Sequence, residues 1–155
     1  MRSVSVYVLA ISALLLTRPS RAQAPDRTPA KVSHVVYMEF VGTTQSLSIN
    51  YERPIASSPY RLRLGLDPYE GLSRTRVAIL GDRYFRWWKH GIELSLGIVA
   101  SPDRFLGSHI IGTGVLGYRF EPAGGGFVFR VSLTPFIARD GVVLNTSGIS
   151  VGYAF

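Results

Sequence analysis

The sequence predicts an all-β fold, an eight-stranded antiparallel up-and-down barrel, and three observations lead to that class. Apolar and polar residues alternate with period two in eight successive segments, which is the pattern of strands with one buried face. Turn-forming residues separate these segments, within a chain that contains 16 Gly and 9 Pro. Beyond residue 32 we find no stretch with helical periodicity. The 155 residues are enough for one domain.

The beginning of the chain has the layout of a secretory signal peptide. Arg2 precedes an uncharged run at 4–16, and Ser20 and Ala22 are the small residues of a cleavage site. The run is shorter than the roughly 20 apolar residues of a membrane-spanning helix, so we expect a cleaved signal peptide. An uncleaved membrane anchor is the alternative. The expected organisation is a signal peptide at 1–22, a short polar leader at 23–31 and an outer-membrane barrel domain at 32–155.

Cleavage lowers the basic charge of the chain. The whole sequence has 17 Lys and Arg against 10 Asp and Glu. Residues 1–22 contain three Arg, so 14 basic and 10 acidic side chains remain and the net charge falls from +7 to +4. A modest charge on an exported chain argues against a nucleic-acid partner.

The absence of Cys excludes a disulfide framework, a thiol nucleophile and a Cys-ligated zinc site.

The alternation defines the strands in order. The eight predicted strands are 32–41, 45–53, 60–66, 74–84, 91–99, 110–120, 127–135 and 147–155. Turn residues lie at 42–44, 54–59, 67–71, 81–82, 101–103, 122–126 and 140–141. Pro135 lies near the end of the seventh strand, where a missing amide donor is tolerated. The 133 residues after cleavage allow about 17 per strand and connection, and a tilted membrane strand needs about 9–11.

One face of every predicted strand is apolar. In the first four strands this face consists of Val36, Met38, Phe40, Leu47, Ile49, Tyr51, Tyr60, Leu62, Leu64, Leu66, Val77 and Ile79. In the last four it consists of Ile92, Leu94, Leu96, Ile98, Leu116, Tyr118, Phe120, Phe127, Phe129, Val131, Leu133, Ile149, Val151, Tyr153 and Phe155. The pattern fits either a soluble barrel with this face inside or a membrane barrel with this face towards lipid.

The composition of the opposite face favours the membrane barrel. Its charged residues are Glu39, Glu52, Glu93, Arg61, Arg63, Arg76, Arg119 and Arg130. Between them lie many Gly, Ala and Ser residues, which are poor choices for exposed strand positions but fit the narrow interior of an eight-stranded barrel. Buried charges need partners, so we expect these residues to form a lumenal charge network inside a transmembrane barrel. A solvated polar face is the alternative.

Aromatic residues lie near the ends of the apolar strand faces. They are Tyr51, Tyr60, Phe120, Phe127, Tyr153 and Phe155, with a further aromatic run at 84–88 in a predicted connection. This placement predicts aromatic girdles at both membrane interfaces. Ordinary core aromatics are the alternative.

The last strand carries a recognisable pattern. Ile149, Val151, Tyr153 and the terminal Phe155 alternate, which resembles the last-strand signal that the barrel-assembly machinery reads in bacterial outer-membrane β-barrels. Stretches at 48–53, 112–120, 125–130 and 134–136 are similar to small outer-membrane proteins of Bacteroidota-type bacteria. The resemblance covers about 36–155 and implies an outer-membrane location, with outer-membrane lipid and the assembly machinery as partners. Most such proteins have no assigned activity.

The sequence offers little evidence of catalysis. A lipid A deacylase of the eight-stranded class has His two residues before its Ser, and neither His34, His90 nor His109 has this spacing. Ser33 and Ser108 directly precede a His, and adjacent strand residues point to opposite faces. The three Glu of the polar face could act as acid and base, but ion pairing with Arg is the expected role. We therefore expect no enzyme, cofactor or metal site.

The resulting functional expectation is a non-catalytic integral outer-membrane barrel with a side-chain-filled polar lumen and a structural or small interaction role. One alternative is a soluble periplasmic barrel that binds an apolar ligand, which requires Leu62, Leu94, Phe129 and Val151 inside. The other is a lipid-modifying outer-membrane enzyme. Both chain ends are expected in the periplasm. The outer connections are expected near 42–45, 67–73, 101–109 and 139–146, and the periplasmic ones near 54–59, 82–90 and 121–126.

Overall fold

A computed structural model describes residues 34–56, 58–68, 71, 74–138 and 141–155, without the side chains of 144 and 145. The predicted signal peptide at 1–22 and the whole predicted leader at 23–31 lie outside these residues. In the described part, eight strands pair antiparallel in chain order and the last pairs with the first to close a barrel. This confirms the predicted eight-stranded antiparallel barrel. The strands are β1 (Val35–Val41), β2 (Ser46–Pro54), β3 (Tyr60–Asp67), β4 (Arg76–Trp87), β5 (His90–Phe105), β6 (Ser108–Phe120), β7 (Gly126–Ala138) and β8 (Gly141–Ala154).

Several strands are longer than predicted. β4 runs through the expected break at 81–82 to Trp87, and Trp87 already pairs with His90 of β5. The connections predicted near 82–90 and 101–109 are therefore longer than the observed ones, which are two-residue hairpin loops at 88–89 and 106–107. The physical reason is that polar residues, read as turn signals, continue the inward face of the strand. Asp82 is buried in this way within β4.

The two faces of the wall have opposite polarity. In β1, Val35, Tyr37 and Glu39 are buried, whereas Val36 and Met38 are each 41% exposed. The same alternation continues around the barrel, so most charged strand residues lie inside and most large apolar residues lie outside. The four residues that an apolar ligand would need inside lie on the outer face. They are Leu62, Leu94, Phe129 and Val151.

The two ends of the barrel differ in their side chains. We call the end at which β1 begins and β8 ends the terminal end, and the opposite one the far end. The six aromatic residues predicted to form two girdles all lie near the terminal end, because their strands begin or finish there. They therefore form part of one belt rather than two. Within β4, Phe85 and Trp87 extend the belt.

The far end is closed by apolar packing and by a short turn. The buried side chains Ala78, Leu80, Val99, Ile111, Val115 and Phe136 form a cluster inside the barrel. Phe105 packs edge-on against Phe136, with 5.5 Å between ring centres. A 3₁₀ turn at Gly42–Thr44 is buried and packs against β4, β7 and β8. The lumen is thus partly apolar, whereas the sequence pattern predicts a polar lumen.

Candidate functional site

The strongest chemical feature of the barrel is a buried ion network in its lumen. Glu93 on β5 is its centre, because this carboxylate contacts Arg63 on β3, Arg119 on β6 and Arg130 on β7. The distance from Arg119 Nη1 to Glu93 Oε2 is 3.1 Å. All four side chains are at most 2% exposed. One carboxylate therefore joins four strands across the interior.

Glu52 on β2 extends the network. Its Oε1 lies 2.9 Å from Arg61 Nε and 2.7 Å from Arg119 Nη1. Arg119 therefore bridges Glu52 and Glu93. Charge-assisted hydrogen bonds of this kind are stronger than neutral ones, and the side chains that form them here are buried. Together these contacts connect β2, β3, β5, β6 and β7.

Three members of the network were missed in the sequence. Arg63 Nε lies 3.1 Å from Asp82 Oδ2. Glu121 accepts from Arg61 Nη1 at 3.0 Å and from Arg86 Nη2 at 2.9 Å, and it also contacts Arg119. Asp82 and Arg86 fell in a predicted connection and Glu121 beside another. The missed signal is the period of β4, because Ala78, Leu80, Asp82, Tyr84 and Arg86 continue one face.

Two of the eight predicted charged residues lie outside this network. Arg76 is near the far end, where its Nη1 donates to the Thr44 carbonyl at 2.6 Å and lies 3.6 Å from Asp67 Oδ2. Glu39 is fully buried and accepts a hydrogen bond from Thr43 Oγ1 at 2.5 Å. Among the described residues, Glu39 makes no ion pair. It holds the 3₁₀ turn against the inside of the wall instead.

Aromatic rings complete the packing of the guanidinium groups. Arg130 Cζ lies 4.4 Å and Arg63 Cζ 5.8 Å from the centre of the Tyr37 ring. Arg119 Cζ lies 5.2 Å from the centre of the Tyr84 ring. Such contacts stabilise a cation that has lost its water. The network thus fills the lumen near the terminal end with paired and stacked side chains.

The histidines take part in other contacts. His34 Nδ1 and His90 Nδ1 each lie 2.6 Å from a tyrosine hydroxyl, that of Tyr51 and that of Tyr118. His109 Nδ1 lies 3.2 Å from the Ser101 carbonyl oxygen. These contacts place aromatic hydroxyls or a backbone carbonyl beside the rings, and they do not assemble the Ser–His–acid arrangement of an acyl hydrolase. In the described ranges, no three His, Asp or Glu residues are grouped so as to hold a metal ion.

The predicted C-terminal signal residues lie on the outer wall. Ile149, Tyr153 and Phe155 are between 50% and 61% exposed, and Val151 is 37% exposed. An open groove of about 360 Å³ lies on the same wall. Its lining includes Ile92, Leu116, Tyr118, Val131 and Leu133. The groove is therefore outside the barrel, away from the ion network.

Comparisons with protein-family models, with curated proteins and with solved structures found no match to this chain. Within the residues that the structure describes, no helix is both long and apolar enough to cross a membrane.

Proposed function

We propose that this chain is a non-catalytic integral outer-membrane β-barrel protein with a lumen filled by side chains, in a structural or small interaction role. The observation that carries the proposal is the polarity of the wall. Glu52, Glu93 and Arg119 are buried inside, whereas residues such as Ile49 and Leu133 are more than half exposed outside. A membrane barrel has this arrangement, with an apolar band facing lipid and a polar interior.

The exposed apolar surface supports a lipid environment rather than water. Large apolar residues are exposed on every strand, and they include Met38, Ile49, Leu64, Ile79, Ile98, Leu116, Val131 and Ile149. Soluble monomers seldom expose continuous apolar patches larger than a few hundred Å². Lipid acyl chains can contact such an apolar surface. In lipid every backbone N–H and C=O needs a hydrogen-bond partner within the protein, and a closed ring of strands supplies it.

The lumen supports a structural role rather than transport or ligand storage. Ion pairs occupy the interior near the terminal end, and the apolar cluster and the 3₁₀ turn occupy the far end. The soluble ligand-binding alternative needs an apolar interior pocket, but the groove with apolar lining lies on the outer wall. The lipid-modifying enzyme needs a nucleophile with a base, and the three histidines have other neighbours.

The proposal includes the route to the membrane. A cleaved signal peptide at 1–22 would take the chain to the periplasm, and the alternating residues from Ile149 to Phe155 would be read by the barrel-assembly machinery. The resemblance of the sequence to small outer-membrane proteins of Bacteroidota-type bacteria predicts the same location.

Fractionation of expressing cells, followed by gel electrophoresis of unheated and heated samples, tests the proposal. We expect recovery in the outer-membrane fraction and a band whose mobility changes on heating, because a folded barrel stays compact in detergent until it is heated. Recovery in the soluble periplasmic fraction with one unchanged band would contradict it.

A further inference from the structure

The turn between β4 and β5 carries an exposed group of aromatic and basic side chains. We call it the turn cluster, and it consists of Trp87, Trp88, Lys89, His90 and Tyr118. Trp88 is 75% exposed and Trp87 is 52% exposed. Lys89 Nζ lies 4.9 Å from the centre of the Trp88 ring, and the His90 ring lies beside those of Trp88 and Tyr118. The cluster is at the terminal end, on the outside of the barrel.

The backbone of this turn is unusual for its residues. Trp87 and His90 are paired, so Trp88 and Lys89 alone form the loop. Trp88 has a φ of 60°. A positive φ at the first position of a two-residue hairpin loop is normally taken by Gly, and a bulky residue there costs free energy. The exposed Trp88 indole gains no buried packing in return. Neither the turn conformation nor packing in the core therefore accounts for a Trp at this position.

The charges around the cluster have one sign. Lys89 and Arg53 are exposed at the terminal end. Arg83 packs against the rings of Tyr60 and Phe85 there and is buried. The carboxylates at this end point into the lumen and bind Arg; they are Glu52, Asp82, Glu93 and Glu121. Among the described residues, the outer wall at the terminal end therefore exposes the basic side chains of Lys89 and Arg53 and no Asp or Glu side chain.

We propose that the turn cluster binds the anionic headgroup of a glycerophospholipid. This rests on the proposed membrane insertion. The Lys89 ammonium offers charge to the phosphate, and the two indole N–H groups are donors at the level where Trp favours the membrane interface. His90 uses Nδ1 towards Tyr118, so Nε2 is its second donor when the ring is protonated. The acyl chains follow the exposed apolar wall at Phe85 and Ile92.

The chain contains its own probe for this site. Its two tryptophans are both in the cluster, so tryptophan fluorescence reports on the cluster alone. The protein purified from membranes is placed in phosphatidylcholine vesicles that contain equal fractions of brominated phosphatidylcholine or brominated phosphatidylglycerol. We expect quenching that corresponds to an about fivefold preference for phosphatidylglycerol, which one lysine near an anionic surface supplies. Lys89→Gln should abolish the preference.

A matched variant separates this site from general charge effects. Arg104→Gln removes one exposed positive charge at the far end and should leave the preference intact. Equal quenching by both lipids, or a preference that survives Lys89→Gln, would overturn the inference while leaving membrane insertion supported. Loss of the preference on adding inorganic phosphate at constant ionic strength would assign the cluster to a free anion and also overturn it. No quenching by either lipid would overturn the proposed function itself.

Discussion

Glu93 is the residue on which the lumenal network depends most. It is buried and contacts Arg63, Arg119 and Arg130, so its negative charge offsets repulsion between three guanidinium groups. The loss of one partner from a buried ion pair is costly because the remaining charge has no solvent. Glu39 is equally buried, but its described contacts are hydrogen bonds from Thr43. The two glutamates therefore allow the ionic contribution to be separated from simple burial.

Glu93→Gln should lower the free energy of unfolding by about 3–5 kcal/mol. Glu39→Gln, the matched control, should lower it by about 1 kcal/mol, the value of an ordinary hydrogen bond. Urea titration of the protein in detergent micelles measures both. If the two variants unfold at the same urea concentration, Glu93 is not the centre of the network.

Val41 is held in a backbone conformation that β-branched residues seldom adopt. Its φ is 63° and its ψ is −132°, next to the buried 3₁₀ turn. Val41 and Val36 expose similar fractions of their surface, 44% and 41%. Val41→Gly and Val36→Gly thus each lose a valine side chain of similar exposure, and only the first relieves strain. We expect the Val41→Gly protein to be more stable than the Val36→Gly protein by about 2 kcal/mol, measured by the same titration. Equal stabilities would show that no strain is stored at Val41.

At the scale of the strands, the seam between β1 and β8 closes the barrel. Tyr37 of β1 is paired with Gly152 of β8. A Cβ at Gly152 would overlap the Val36 carbonyl oxygen and the Tyr37 Cβ, and it would lie 2.6 Å from the Tyr37 Cα. Because these are mainly backbone atoms, a side chain at 152 forces the two strands apart.

Gly152→Ala should therefore destabilise the barrel by about 1–3 kcal/mol, the usual cost of overpacking. Gly124→Ala is the control, since a Cβ there meets no atom within 4 Å. The temperature at which the compact band disappears on a gel compares the two. A Gly152→Ala barrel as heat-resistant as Gly124→Ala would be evidence against the closed seam.

The strands also show what the sequence could predict. Strict alternation of apolar and polar residues predicts the strands β1, β7 and β8 and also which of their residues face the lumen. Asp82 and Glu121 were missed because a charged residue near Gly or Pro resembles a turn, and only the pairing of β4 with β3 and β5 shows that Asp82 is inside. The buried cluster around Phe136 was missed for a different reason. A single apolar residue on the polar face of one strand does not indicate an apolar cluster, because its neighbours in the cluster come from other strands.

Across the whole molecule, the polarity of the wall is the observation on which the proposed membrane environment rests. Its interior contains paired charges and its exterior exposes large apolar residues on every strand, so transfer from water to lipid would cover these residues without exposing the charges. The outward-facing residues in the middle of the strands would contact lipid in a membrane barrel and water in a soluble one. Met38, Leu64 and Val131 are representative, and each is 41–42% exposed.

Because the chain has no Cys, single labels can be placed without background. Met38→Cys, Leu64→Cys and Val131→Cys carry a bimane label on the outer wall, and Arg104→Cys carries it on an exposed site at the far end. The membrane account predicts that spin-labelled lipid quenches the three wall labels and that aqueous iodide does not, with iodide quenching the label at 104. Quenching of the three wall labels by iodide, and not by lipid, would contradict it.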